Sequence, residues 1–307
     1  MHRVTTFGNC QADALASLLL MSLPDSGYSV EFFSNNQKTG GMKSPEQILE
    51  SVAESDILIF QPLDERHGLL CEESIRSTAS GTAITFPYLF NSGISSFCHN
   101  IAGAKRRTGP TAQKRPAERV YGNSPARHSY GNIFGEEPII AMLEAGRHES
   151  EIIDAYREGS INFQVRARFD WCLGELQRRE EPIDIKIADH ISRNYRVDRQ
   201  FLTHNHPTTN LLTEICASIG RLGDLPIDVD VLRAIDDENV ADLPGGRRRC
   251  PVSPHDAEEL GYEFGHDVDW LPLGSGLIKL ICDEYRDLGS QELGRPAEQR
   301  DVGRPTG

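Results

Sequence analysis

A thiol stands in Gly8-Asn9-Cys10-Gln11-Ala12, where the apolar run Val4-Thr5-Thr6-Phe7 meets a helical pattern from Ala14 to Leu20. A strand closed by glycine can turn sharply into a helix. The helix start then presents unpaired N–H groups and a partial positive charge to whatever occupies the corner. Such a corner lowers a thiol pKa and suits an oxyanion, which makes Cys10 a candidate nucleophile; the competing reading is a buried structural cysteine. A thiol nucleophile needs a base, and His206 in His204-Asn205-His206-Pro207 is the first candidate, with His204, His99 and His128 as alternatives. The base needs an orienting group in turn, for which Asp189, Asp198 and Asn205 are open choices. Asn9, Gln11, Gln61 and Asn205 are read as oxyanion- or substrate-binding residues. Gln61 ends the apolar run Ile57–Phe60 on the same crevice side as Cys10, and Asn91 and Ser92 follow the next such run.

These residues need elements that bring them together. Apolar runs at Val4–Phe7, Val30–Phe33, Asp56–Gln61 and Thr82–Phe86 read as strands, separated by helical patterns at Gln11–Met21 and Pro45–Glu54. Strands alternating with helices imply a parallel sheet, whose ligand crevice lies beyond the carboxyl ends of the strands. The fold class is therefore α/β: an N-terminal parallel sheet with flanking helices, followed by a mainly helical C-terminal half. Helices are expected at Pro138–Gly146, Glu149–Glu158, Arg166–Arg179 and Ala188–Tyr195. A short extended run, Gln200–Thr203, then leads to Pro207 as the first residue of a helix over Thr208–Ile219 that ends near Gly220. Beyond Ile227 helices mixed with loops are expected, including a polar turn at Leu243–Ser253. The organisation read from this is a nucleophile-bearing α/β portion over 1–101, a basic loop over 102–128, and a mainly helical portion over 129–288. The last packs on the first and supplies the His-Pro corner, and a disordered tail follows over 289–307.

The chain has 307 residues, 38% of them hydrophobic and 25% charged, which suits a globular protein with a sizeable core. No run of about 18 apolar residues marks a membrane span. A cleaved leader would remove the Cys10 motif, so a cytoplasmic location is expected. Seven cysteines without CxxC spacing fit reduced thiols and argue against a disulfide framework or a zinc site. His204 and His206 would share a face on a strand, a weak hint of metal, and no metal site is expected. There is no Walker loop, no GxGxxG after a strand and no HExxH, which leaves nucleotide hydrolysis, NAD chemistry and common metal hydrolysis unsupported. A net charge of −14 disfavours nucleic acid. Against it stand seven basic residues between Ala102 and Arg127 with the single acid Glu118. Lys105, Arg106 and Arg107 lead that segment and suit an anionic ligand.

Gly8-Asn9-Cys10-Gln11, Asp56-Ile57-Leu58-Ile59-Phe60-Gln61, Phe86-Pro87, Tyr130-Gly131-Asn132-Ile133-Phe134-Gly135 and Asn205-His206-Pro207-Thr208 occur in an order that resembles the WcbI family of capsular polysaccharide biosynthesis proteins. The likeness runs from about residue 3 to 220. It implies a cytoplasmic, coenzyme A-binding O-acetyltransferase that acts on a sugar or polysaccharide precursor, with acetyl-CoA as co-substrate. Carried over by position, Cys10 and His206 lie at its active site, with Asn9, Gln11 and Gln61 around them. The coenzyme's phosphates are assigned to Lys105, Arg106 and Arg107 on charge alone. A weaker likeness is to SGNH hydrolases, which place a Ser at the first corner and end with Asp-x-x-His-Pro. Here Cys10 replaces the Ser, and Thr203 stands three residues before His206 in place of the Asp. The rival readings are accordingly an SGNH-like esterase or deacetylase and a non-catalytic carbohydrate- or CoA-binding protein.

Overall fold

The computed structural model describes residues 1–24, 27–35, 43–97, 137–235 and 249–293. Its first unit alternates β1 (His2–Gly8), α1 (Cys10–Ser22), β2 (Tyr28–Ser34), α2 (Pro45–Ala53) and β3 (Ile57–Phe60). A 3₁₀ turn at Glu65–Leu70, α3 (Glu72–Thr78) and β4 (Thr82–Thr85) complete it. The four strands form a parallel sheet in the order β2-β1-β3-β4. Val4 sits between Val30 and Ile57, and Phe60 sits between Phe7 and Thr85. The chain leaves β1 toward one edge for β2 and returns past β1 for β3. The carboxyl ends of β1 and β3 therefore flank the switch point at which such sheets bind ligands.

Strand side chains alternate between two cores. Val4, Ile57, Ile59 and Ile84 face a large cluster that continues through Leu15, Leu18 and Leu19 of α1 into the helical half. Phe7, Leu58 and Phe60 face a smaller one closed by Ile48, Val52 and Ile75 of α2 and α3. Phe7 and Phe60 are wholly buried, and each such side chain contributes about 1.5–3 kcal/mol relative to exposure. Local chemistry sets the helix starts. Ser44 and Gln47 form a reciprocal capping box before Pro45, and the Asn9 side chain accepts from the Gln11 N–H to cap α1.

The second half comprises α4 (Glu137–Glu144), α5 (Glu149–Arg157), α6 (Val165–Glu180), α7 (Ala188–Asn194), the antiparallel pair β5 (Phe201–Thr203) and β6 (His206–Pro207), α8 (Thr209–Gly223), α9 (Val229–Arg233), α10 (Pro254–Leu260) and α11 (Trp270–Leu293). The α/β reading with a helical C-terminal half is borne out. One detail is corrected. Pro207 is not the first residue of a helix: it pairs with Phe201, and the Thr208 N–H donates to the Gln200 carbonyl at 3.0 Å, extending the ladder one residue further. Thr208 then caps α8 with its hydroxyl, 3.4 Å from the Leu211 nitrogen. Consequently His204 and Asn205 form the turn of a hairpin, and His204 does not share a strand with His206. His204 packs edge-on to Phe90, with ring centroids 5.5 Å apart. The final helix reaches Leu293, into the segment expected to be a disordered tail. No helix among the described residues is long and apolar enough to cross a membrane. The basic loop with Lys105, Arg106 and Arg107, together with His99 and His128, lies outside the described residues.

Candidate active site

Cys10 is the first residue of α1, directly beyond the carboxyl end of β1. Asn9 before it is bound at both ends, its side-chain oxygen accepting from the Gln11 N–H at 2.8 Å and its own N–H donating to Gln61 Oε1 at 2.9 Å. Gly8 permits the second contact by close approach rather than by backbone freedom. A Cβ at this position would lie 2.6 Å from Gln61 Oε1 and 3.0 Å from the Ala12 Cβ. Gly8→Ala should therefore displace the buried Gln61 amide and lower stability by about 1–3 kcal/mol, measured by urea unfolding with an unchanged m-value.

The corner holds its thiol against an imidazole from far along the chain. Cys10 Sγ lies 3.8 Å from His206 Nε2, and His206 as a residue is 7% exposed. His206 is positioned by the β5–β6 hairpin, and Thr203, its partner across the two strands, places Oγ1 2.6 Å from Nδ1. Thr203 Oγ1 also lies 3.4 Å from Asn205 Oδ1. A hydroxyl thus stands at Nδ1, with Asn205, one of the three candidate orienters, in contact with that hydroxyl. Asp189 sits instead in the first turn of α7. Asp198 precedes β5, where its carbonyl accepts from the Gln200 side chain.

The two glutamines are buried, Gln11 at 2% and Gln61 at 3% exposure, and they join three segments. Gln61 Nε2 donates to Gln11 Oε1 at 3.0 Å, and Gln11 Nε2 donates to the carbonyls of Leu89 and Asn205 at 2.7 and 2.8 Å. Asn91 and Ser92 are buried in the wall behind. The Asn91 N–H donates to the His204 carbonyl at 2.7 Å, its side chain accepts from the Gly93 N–H, and the Ser92 hydroxyl meets the Cys172 sulfur at 3.7 Å.

The thiol's electrostatics differ from the expectation for a helix start. Burial pushes the Cys10 pKa up, the N–H groups of Cys10 and Gln11 pull it partly back, and the charge of Asp13 adds to the rise. Desolvation outweighs the helix start, so the surroundings favour the neutral thiol over the thiolate. Tyr88 was not singled out in the sequence, although it follows Phe86-Pro87 directly. Its residue surface is 36% exposed, and its hydroxyl lies within electrostatic range of Asn205 and Cys10. Burial raises its pKa, the nearby sulfur adds to the rise, and the hydrogen bond from Asn205 opposes both. Cys10, Cys71, Cys172, Cys216 and Cys282 keep free thiols. Among the described residues no group of three or more His, Cys, Asp or Glu side chains forms a metal cage.

The family model of WcbI, described as a polysaccharide biosynthesis enzyme, matches residues 134–226, a span that includes Asn205 and His206. No curated protein matches the chain. A solved structure of WcbI, described as a novel polysaccharide biosynthesis enzyme in native form without a disulfide bond between coenzyme A and a cysteine, superposes with a TM-score of 0.62. It is 19% identical, and the match covers 96% of each chain. The resemblance carried by the motifs is borne out: the chain bears the WcbI sequence pattern over residues 134–226 and the WcbI fold over nearly its whole length.

Proposed function

We propose that this protein is an enzyme of surface polysaccharide assembly that transfers an acetyl group from acetyl-CoA to a sugar hydroxyl, working in the cytoplasm through Cys10 and His206. The observation that carries the reading is the 3.8 Å contact between Cys10 Sγ and His206 Nε2 at the switch point of the sheet. The donor set fits the thioester end of coenzyme A, because a partly buried thiol with an imidazole in reach is the chemistry of thioester exchange. The WcbI match supports a sugar acceptor, and the related structure's description, with coenzyme A and a cysteine, supports the coenzyme. Lys105, Arg106 and Arg107 remain our assignment for its phosphates.

A neutral thiol must lose its proton as it attacks. Thr203 has one hydroxyl proton; given to Asn205 Oδ1, it leaves the oxygen to accept from Nδ1–H of His206, and the Nε2 lone pair then faces the sulfur. The Cys10 proton moves to Nε2 while sulfur bonds to the acetyl carbonyl carbon. Collapse of the tetrahedral intermediate breaks the carbon–sulfur bond to coenzyme A, whose thiolate takes the proton from the imidazolium. In the second half the sugar hydroxyl gives its proton to Nε2 and attacks the acetyl-cysteine, and Cys10 leaves as a thiolate that is reprotonated. Gln11 and Asn9 already spend their N–H groups on Asn9 Oδ1 and Gln61 Oε1, so we assign the oxyanion to the N–H of Cys10 and the side-chain amide of Asn205.

The test is calorimetric titration with CoA and acetyl-CoA, followed by peptide mass spectrometry after acetyl-CoA is added without acceptor. Saturable binding and one acetyl group on the Cys10 peptide are expected. Binding of neither ligand by folded protein, together with ester hydrolysis in the absence of CoA, would replace this reading by the esterase.

A further inference from the structure

Gln11 makes four side-chain hydrogen bonds. Oε1 accepts from Gln61 Nε2 and from the Leu89 N–H, both at 3.0 Å, and Nε2 donates to the carbonyls of Leu89 and Asn205 at 2.7 and 2.8 Å. A primary amide has two donor hydrogens and two acceptor sites, so its capacity is filled. Its direction is also settled, since a backbone N–H can only donate and a carbonyl can only accept. Gln61 is oriented in the same way, because its Oε1 accepts from the Asn9 N–H. Nothing on the Gln11 amide is left for a substrate.

Its two ends, however, lie next to the two reacting groups. Gln11 follows Cys10 in α1, and its far end holds the carbonyl of Asn205, the residue before His206. We propose that Gln11 is a positioning residue that sets the separation of the Cys10 sulfur and the His206 ring by tying the start of α1 to the β5–β6 turn and to the segment after β4. Cys10 and His206 are 196 residues apart in sequence, so their alignment depends on tertiary ties. Proton transfer is steeply sensitive to such alignment, a misplacement of about 1 Å costing up to about 10²-fold. The inference rests on the Cys10–His206 reading.

The experiment is a double-mutant cycle on the full chain, read as the rate of Cys10 alkylation by iodoacetamide at about pH 7.5, where the unassisted thiol is mostly protonated. Peptide mass spectrometry resolves Cys10 from the other cysteines, and thermal melts establish that each variant is folded. His206→Ala should slow alkylation about tenfold by removing the base. Gln11→Met, of similar size without the amide, should slow it by a similar factor when His206 is present and by less than about twofold in the His206→Ala background. A merely structural role gives equal slowing in both backgrounds, and that result, or no slowing in either, overturns the proposal. If His206→Ala leaves the rate unchanged, the pairing itself fails, an outcome separate from failure of Gln11 alone. Should Gln11→Met not fold, Gln11→Asn retains an amide one methylene too short, with the same cycle and the same expected pattern.

Discussion

Cys10→Ala should lower acetyl transfer by at least about 10³-fold while leaving CoA binding within a few-fold of the native protein. The chemical loss is large because alanine supplies no atom that can carry the acetyl group. The corner itself should survive. Asn9 still caps α1 through the Gln11 N–H, Gln61 still holds the Asn9 N–H, and alanine is a good helix former at the vacated position. Acetyl transfer followed by mass spectrometry of the acceptor, beside calorimetry with CoA, separates these two expectations. A fall of less than tenfold would remove the acyl-cysteine and move the direct attack to the sugar hydroxyl, with His206 as its base. Loss of binding as well as turnover would make the thiol part of the coenzyme's seat.

The parts of this site that could be read in the sequence are those that depend on local pattern. The strand before Cys10, the helix after it and the Gln61 terminus of β3 all follow from apolar periodicity and chain order, because a parallel sheet places successive carboxyl ends on one side. His206 was legible as a corner, but the reason it is a corner was not. Pro207 next to a helical pattern reads as a helix start, whereas the decisive interaction is the ladder from Gln200 to Thr208, a pairing between residues eight apart that no periodicity marks. Thr203 illustrates the same limit. Its spacing from His206 matched the SGNH acid, yet a hydroxyl gave no sign by its type that it would meet Nδ1; the hairpin register places it there. Gln11 and Gln61 were expected near Cys10 on position, and their hydrogen bonds do link them to its neighbour Asn9. Their satisfaction by Leu89, Asn205 and Asn9 is a tertiary result, and it is the ground for our proposal that Gln11 holds the frame rather than the substrate.

The thiol's acidity shows how two physical effects of opposite sign are decided. A helix start favours a thiolate through its N–H groups, and those of Cys10 and Gln11 do act in that direction. Removal from water penalises the charged sulfur, and with Asp13 contributing like charge the penalty is larger. The folded protein therefore holds this proton more tightly than the unfolded chain. Its contribution to stability is complete below the ordinary thiol range of about 8.5 and is lost as pH rises through the higher folded value. A thiol kept neutral at rest is also a weak target for oxidants and a poor nucleophile until a base takes its proton.

From that follows the expectation for His206→Ala: a loss of about 10²–10⁴-fold in acetyl transfer at neutral pH that narrows as pH rises. At neutral pH the sulfur of the variant is protonated and nothing beside it accepts the proton. As pH climbs toward the raised thiol pKa, bulk solvent generates the thiolate and the imidazole becomes dispensable. The native protein should show a shallower rise over the same interval, since the proposed mechanism builds the base in. Thr203 tests the orientation of that base with little change in volume. Thr203→Val removes the Nδ1 partner and should cost about tenfold, and Thr203→Ser should restore most of it by returning a hydroxyl to the same strand position. A pH–rate series on the native protein and these three variants checks the argument. Parallel profiles for the native enzyme and His206→Ala would show that the ring does not move the thiol's proton, and equal losses for valine and serine would show that Thr203 acts through packing.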